Sequence, residues 1–213
     1  MGLTNGVELP ATVWLYLGLL ATVAALRLVE VAVSRRHRRT LVGRGASHVA
    51  EPHFRWMVAL HAGVLIAAAL EVVLLQPPVV PVLAIVAGAC FVAANVVRWW
   101  VIQTLGQHWN VGIMDSARYD VVDSGPYRWV RHPNYAAVFV EMLALPLMHS
   151  AWITAGVGTV AHVFVLRSRI ASEDRMLLSS DAYVSAMGHK PRFFPTRPTR
   201  PTRPDAAEGR EPQ

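Results

Sequence analysis

The chain has 213 residues, of which 54% are hydrophobic and 16% charged, and its mean hydropathy is +0.35. This composition excludes an ordinary soluble domain, because the apolar residues form long runs instead of alternating with polar ones. The formal net charge is +6, and we interpret the excess of basic residues as juxtamembrane side chains that attract anionic lipid. We predict no nucleic-acid partner, since no recognition fold accompanies the basic residues. Cys90 is the only cysteine, which excludes a disulfide or a cysteine zinc site within the chain.

Five apolar segments approach the length of about 20 residues that a membrane-spanning helix needs. Each must be helical, because hydrocarbon offers the backbone no hydrogen-bond partner. The first could instead be a signal peptide, but it lacks a basic start and a small-residue cleavage site. The last two segments are short and closely connected, which predicts a helical hairpin. The segments lie near residues 11–33, 56–75, 79–102, 134–149 and 151–167.

The basic residues predict the topology. Residues 1–26 and the turns at 76–81 and 149–150 contain no Lys or Arg. Under the positive-inside rule, the basic segments between these turns lie in the cytoplasm. We therefore predict five spans, an external N-terminus and a cytoplasmic C-terminus, in the inner membrane if the source is bacterial. The basic residues that fix this orientation are Arg35, Arg36, Arg38, Arg39, Arg44 and Arg55, then Arg98, Arg118, Arg128 and Arg131, then Arg167, Arg169 and those beyond.

The chain divides into three parts. Residues 1–102 hold three transmembrane helices and a basic cytoplasmic loop at 34–55. Residues 103–195 hold a polar loop, the helical hairpin and, at 168–187, a pattern typical of an amphipathic helix. Within the loop, 109–114 and 119–122 are predicted to be extended, with a turn at Asp115 and Ser116. Residues 196–213 form a basic, proline-rich tail predicted to be disordered. The predicted fold is all-α and integral to the membrane.

Several common chemistries find no support in the sequence. The sequence contains no P-loop. Gly156-Val157-Gly158 lies inside an apolar helix and does not follow a strand, so it is not a dinucleotide-binding fingerprint. The nine histidines lack metal-ligand spacing, so we predict no metal site. No serine elbow is present.

Two polar clusters at the edges of apolar segments carry the functional signal. In residues 124–135, His132 and Tyr135 are three apart and share a helical face. In residues 169–174, Arg169 and Glu173 are four apart, with Asp174 adjacent. A cofactor with a cationic centre, an aromatic ring and an amino-acid end suits this mixture. The alternative is that these residues are interfacial anchors and an ordinary surface ion pair.

The motifs Gly-Pro-Tyr-Arg-x-x-Arg-His-Pro-x-Tyr (125–135) and Arg-Ile-x-x-Glu-Asp (169–174), with Tyr183, resemble the isoprenylcysteine carboxyl methyltransferase family. Members of this family are integral membrane enzymes that use S-adenosylmethionine. The resemblance covers residues 95–195, so it implies that 103–195 is the catalytic region and that its loop binds the cofactor. Three positions depart from the family pattern: Ala137 replaces a glycine, Asp174 replaces a glutamate, and Ser179-Ser180 stand near a missing Phe-Gly.

The resemblance also implies roles for individual residues. Arg169 matches a position for substrate binding near the methyl acceptor. Apart from the resemblance, an ionised carboxylate acceptor needs only a cation such as Arg169 or Arg131 to hold it, so Arg131 is a candidate catalytic residue. The cofactor is expected to contact Tyr119, Asp120, Val121, Val122, Tyr127, His132, Pro133, Asn134, Tyr135, Glu173 and Asp174.

Glu141 is a second candidate catalytic residue. A phenolic acceptor would benefit from a general base, and Glu141 lies two turns beyond Asn134 inside an apolar helix. The alternative is that Glu141 pairs with Arg98 or forms another interhelical bond. Glu30 is also an intramembrane candidate, whereas Glu71 lies toward the outer side and is interpreted as structural.

The acceptor is predicted to be lipophilic. Leu105 to Asn110 and the Glu141 segment resemble a bacterial branch linked to type III polyketide synthases, whose members methylate phenolic or pyrone lipids. An isoprenylcysteine-like carboxylate is the other acceptor that the family implies. The alternative functions are an inactive membrane scaffold or lipid-binding protein of the same fold, and a phospholipid methyltransferase.

Overall fold

The structure, a computed structural model, is mostly helical. The described residues are 9–44, 47–48, 54–112, 114–115 and 121–194. Two short strands, β1 (Ser47–His48) and β2 (Met114–Asp115), pair antiparallel, and 3-10 turns occupy Gly106–His108 and Gly125–Arg128. Apart from this short strand pair, the regular elements of the described residues are helical, which confirms the predicted all-α architecture. The α-helices in these ranges are α1 (Ala11–Gly43), α2 (Phe54–Leu75), α3 (Pro81–Leu105), α4 (Pro133–Leu147), α5 (Trp152–Leu177) and α6 (Asp181–Met187).

Three of these helices are long and apolar enough to cross a membrane: α1, α2, and α3 with the turn that follows it. These helices make the chain an integral membrane protein. Helix α4 is apolar but has 15 residues, about 22 Å, which is shorter than the roughly 30 Å hydrocarbon core. The predicted count of five spans and the predicted orientation stay predictions.

Helix α4 is the centre of the packing. Nine of its 15 residues are buried, and it packs against both α3 and α5. Helix α2 packs against α5 and α1. Large apolar side chains on the outer faces of α1, α2 and α3 are exposed, as expected for surfaces that face lipid. Polar side chains that α4 presents are therefore held inside the bundle.

Three local predictions need correction. The loop predicted to begin at residue 34 in fact begins about ten residues later, because helix α1 continues to Gly43. No Gly or Pro interrupts the helix between residues 34 and 42. The helix predicted at 168–187 is in fact the end of α5 and the separate α6, divided at 178–180, where Ser179 and Ser180 favour a turn. Asp115 is extended and belongs to β2, whose partner is β1. Residues 116–120 lie outside the described residues.

Gly125 positions the 124–131 segment against the end of α3. Its φ is +55°, and a Cβ there would collide with the side chain of Thr104 in α3. Pro126 follows and is buried. This turn packs residues 124–131 against α3 just before α4 begins.

Glu71 joins α2 to the start of α5. Its carboxylate accepts hydrogen bonds from the backbone nitrogens of Ile153 (3.0 Å) and Thr154 (2.7 Å) and from the Thr154 hydroxyl (2.7 Å). A carboxylate satisfies the free donors of a helix N-terminus and complements its dipole. This contact agrees with the structural interpretation of Glu71.

Candidate functional site

The two polar clusters of the sequence meet at one end of the bundle. Asp174, near the end of α5, is 4% exposed. Its Oδ1 accepts a hydrogen bond from His132 Nε2 at 2.7 Å and lies 3.5 Å from Arg131 Nη1. Burial alone would raise the pKa of Asp174, but the hydrogen bond and charge of His132, followed by the nearby arginines, hold it below its ordinary value. Asp174 is therefore an ionised anchor for the residues that precede α4.

A C-terminal segment, residues 190–193, covers this anchor; we call it the strap. The backbone nitrogens of Arg131 and His132 donate to the carbonyls of Pro191 and Arg192, both at 2.9 Å. Arg192 Nε donates to Asp174 Oδ2 at 2.8 Å, so both carboxylate oxygens are used within the protein. Lys190 Nζ donates to the Tyr127 carbonyl at 2.9 Å. The strap thus fixes the segment between Tyr127 and α4.

Tyr135 links the two clusters a second time. Its hydroxyl donates to a carboxylate oxygen of Glu173 and accepts a hydrogen bond from Arg169 Nε at 2.8 Å. The Arg169 guanidinium also lies 5.7 Å from the centre of the Tyr135 ring. The rings of His132 and Tyr135 are 5.4 Å apart. Four residues that the sequence separates by up to 41 positions are therefore in one connected group, which we call the Glu173 group: His132, Tyr135, Arg169 and Glu173.

Arg169 connects this group to the rest of the bundle. Its guanidinium donates to the Val111 carbonyl and contacts the sulfur of Met57 in α2. The preceding residue of the loop, Asn110, accepts a 2.7 Å hydrogen bond from Ser34 of α1. Parts of four helices therefore converge beside Arg169.

Glu173 is bonded to one tyrosine, and its charge acts on two others. Burial, followed by the charge of Glu173, raises the pKa of Tyr183 to about 12. The same two causes raise the pKa of Tyr127. With Tyr135 bonded directly to its carboxylate, Glu173 has three aromatic neighbours. A carboxylate among aromatic rings is a favourable environment for a cation.

Two buried polar atoms at the start of α4 have no hydrogen-bond partner among the described residues. They are Arg131 Nε, a donor, and Asn134 Oδ1, an acceptor. Buried polar atoms are normally satisfied, so this donor and acceptor require a further partner. An amino-acid group supplies both an acceptor carboxylate and a donor ammonium. The residues here therefore fit a cofactor with a cationic centre and an amino-acid end.

An apolar groove lies next to Arg169. It has a volume of about 510 Å³ and runs between α2 and α5. Trp56 and Leu60 line it on one side, Ala161, Phe164 and Val165 on the other, with Ser168 beside Arg169. Phe164 and Trp56 are exposed, so the groove opens at the outer surface of the bundle. Its volume is within the range of small-molecule sites.

The structure does not bring Glu141 into this group. Glu141 is nine residues from His132, half a turn around α4, and shares a face with Asn134 only. Its Oε1 accepts a 3.2 Å hydrogen bond from Arg27 of α1. Glu141 is thus in an interhelical ion pair, the alternative weighed from the sequence, although Arg27 takes the place expected for Arg98.

The remaining predicted residues are placed as follows. Pro133 is buried at the first position of α4, and Val121 and Val122 are half-buried in the segment before Gly125. Tyr119 and Asp120 lie outside the described residues. Sequence reasoning missed the strap residues Lys190 and Arg192, which carry no periodic signal, and the contacts of Arg169 with Val111 and Met57.

Comparison with known proteins gives a consistent result. The model of the isoprenylcysteine carboxyl methyltransferase (ICMT) family matches residues 84–179. The chain is 32% identical over 160 residues to an uncharacterized protein, YpbQ, of Bacillus subtilis (strain 168), covering 75% of this chain and 94% of that protein. It is 26% identical over 155 residues to an uncharacterized protein of Haemophilus influenzae, covering 72% and 90%. The chain belongs to the isoprenylcysteine carboxyl methyltransferase family.

Proposed function

We propose that this protein transfers a methyl group from S-adenosylmethionine to an oxygen of a lipophilic acceptor. Membership of the family implies a membrane methyltransferase. The observation that carries this proposal is the Glu173 carboxylate, bonded to Tyr135 of α4, with two unpartnered buried polar atoms, Arg131 Nε and Asn134 Oδ1, near the start of the same helix. An inactive scaffold of the same fold would have no need of such an environment.

The cofactor, when bound, supplies a methyl group on a cationic sulfur. Glu173 and the Tyr135 ring would stabilise that positive charge. Arg131 Nε would donate to the carboxylate of the amino-acid end, and Asn134 Oδ1 would accept from its ammonium. Because His132 Nε2 is bonded to Asp174, Nδ1 is the ring nitrogen left for a contact with the cofactor. The loop residues Tyr119 to Val122, together with Pro133, complete the proposed pocket.

The groove supports a lipophilic acceptor. A lipid whose apolar chain lies in the groove would place its polar head at Arg169, a member of the Glu173 group. Arg169 or Arg131 would hold an ionised carboxylate acceptor, which needs no base. The protein contributes by aligning the two reactants and excluding water. We also propose five spans, with this end of the bundle in the cytoplasm.

Calorimetry with S-adenosylmethionine on the purified full-length protein tests the cofactor assignment. We expect binding by the unchanged protein and no measurable binding by His132→Ala or Glu173→Ala. Two matched controls, His149→Ala and Glu71→Ala, alter a buried histidine and a carboxylate at the other end of the bundle and should retain binding. Retained binding in both site variants would sink the assignment, and absence of binding by the unchanged protein would favour a scaffold.

A phenolic acceptor would benefit from a general base, and Glu141 is the proposed candidate. Its ion pair with Arg27 holds it apart from Arg169 and Glu173, so it would act as the base only where the phenol reaches it along α4. In that case we expect Glu141→Gln to reduce turnover of a phenolic lipid about 100-fold while leaving S-adenosylmethionine affinity unchanged. Unchanged turnover would assign Glu141 to its ion pair with Arg27 alone. Mass spectrometry of extracted lipids, read for the gain of one methyl, distinguishes a phenol or pyrone from a carboxylate or a phospholipid. A neighbouring type III polyketide synthase gene would support the phenolic or pyrone lipids.

A further inference from the structure

A pair of histidines inside the bundle has no role in the site described above. His162 of α5 is 3% exposed, and neither of its ring nitrogens has a hydrogen-bond partner among the described residues. Its ring meets His61 of α2 edge-on at 5.5 Å and lies 6.2 Å from Phe139 of α4. These ring contacts account for an aromatic side chain at 162 but leave its two nitrogens unsatisfied.

The hydrogen-bonding capacity of the pair follows from its contacts. His61 Nδ1 is 2.7 Å from the Met57 carbonyl, which can only accept, so Nδ1 carries the hydrogen and Nε2 is an acceptor in the neutral ring. Neutral His162 offers one donor and one acceptor. Leaving such groups unsatisfied in an apolar interior costs free energy, whereas an apolar ring of similar shape would avoid that cost. The presence of histidine therefore points to a ligand with hydrogen-bonding oxygen.

The pair lies directly behind the apolar groove. Ala161 and Val165 line the groove on α5, and His162 is about 60° to 100° around the helix from them, on the inner side. On α2, Leu60 lines the groove and His61 follows it. The two histidines thus lie immediately behind this apolar wall, on the inner side of the two helices that form it.

The depth of the pair can be compared with that of the Glu173 group. His162 precedes Arg169 by seven residues, and Phe139 follows Tyr135 by four. At a rise of about 1.5 Å per residue, the pair lies about 6–10 Å further along the helices than Arg169 and Tyr135. A lipid chain in the groove with its head at Arg169 would pass the histidines at that distance.

We propose that His61 and His162 form a subsite for a neutral oxygen, a hydroxyl or carbonyl, that the lipid acceptor carries about 6–10 Å from its methylated oxygen. The position of the methylated oxygen rests on the proposed function. The subsite selects an oxygenated lipid over a plain one, because a site built to hydrogen-bond an oxygen discriminates against an analogue that lacks it.

The test compares two lipids that differ only in this oxygen. One is a 3-alkylphenol with an unsubstituted chain, and the other carries a hydroxyl on its chain about 6–10 Å from the phenolic oxygen. Dissociation constants of both are measured by native mass spectrometry on the full chain without S-adenosylmethionine. We expect the unchanged protein to bind the hydroxylated lipid about 3-fold to 10-fold more tightly.

Two variants make the test specific. His162→Phe should abolish the preference while binding the plain lipid at least as well, since Phe fits beside Phe139. Thr159→Val removes another unpartnered oxygen from the same helix and should keep the preference. A preference that survives in His162→Phe, or an equal loss for both lipids, would overturn the subsite. Since binding is read without transfer, a failure of methyl transfer would count against the proposed function alone.

Discussion

Among the described residues, two clusters combine arginines with carboxylates, and they differ in how completely their polar atoms are bonded within the protein. The first, which we call the inner network, joins α1, α3 and α4. Arg27 bonds to both oxygens of Glu30 at 2.7–2.8 Å and to Asn95 and Glu141 at 3.2 Å. Arg98 bonds to Glu30 at 2.5 and 3.2 Å. Two positive and two negative side chains thus balance one another.

The second cluster, around Asp174 and Glu173, is not closed in this way. It contains Arg131 Nε and Asn134 Oδ1, which have no partner among the described residues, and the Glu173 carboxylate, which is bonded to Tyr135. Asp174 resembles the inner network, because both of its oxygens are bonded within the protein. Charged residues alone therefore do not identify the site here. The unsatisfied atoms beside them do.

Breaking the inner network should have the largest effect on stability. Arg27→Met leaves Glu141 buried without its cationic partner, and removal of one member of a buried pair costs about 3–5 kcal/mol. We expect a correspondingly lower melting temperature in detergent, with unchanged S-adenosylmethionine affinity in the folded fraction. The double variant Arg27→Met with Glu141→Gln restores charge balance at that pair and should recover part of the loss. A variant that keeps its melting temperature but loses cofactor affinity would reverse the roles assigned to the two clusters.

Helical periodicity explains what the sequence could predict. His132 with Tyr135, and Arg169 with Glu173, share faces of helices whose apolar runs are evident, so their convergence at one end of a hairpin was predictable. The partner of Glu141 was not. Arg27 and Arg98 are both arginines on neighbouring apolar helices, and the rotation of each helix about its axis decides between them. That rotation depends on packing across 114 residues of sequence, which spacing alone does not encode.

The strap shows a second limit. Arg192 lies 18 residues beyond Asp174 in a segment without regular secondary structure, so no period relates the two. The extent of α5 was misjudged for a related reason. Its apolar run ends near 167, but helix formation requires only the absence of breakers, and the helix continues to Leu177.

Removing Arg192 should sharpen the distinction between anchor and pocket. Arg192→Ala deletes one of the bonds that hold Asp174, and through it the ring of His132. The Arg192 side chain is 55% exposed, so we expect only a 3-fold to 10-fold loss of S-adenosylmethionine affinity by calorimetry. Arg192→Lys keeps the charge and should be intermediate. The control is Arg175→Ala, which removes an exposed arginine next to Asp174 on α5 and should leave S-adenosylmethionine affinity unchanged.

Acid unfolding of the same variant gives a second readout, with a smaller effect. Because the folded pKa of Asp174 is depressed, its contribution to stability is present above its unfolded pKa of about 3.9 and is lost as pH falls through the folded value. Arg192 is one cause of that depression, so Arg192→Ala should move the acid-unfolding midpoint to higher pH. Asp174→Asn should remove this part of the pH dependence altogether. If Arg192→Ala left the midpoint in place while lowering cofactor affinity, Arg192 would act on the cofactor directly and not through Asp174.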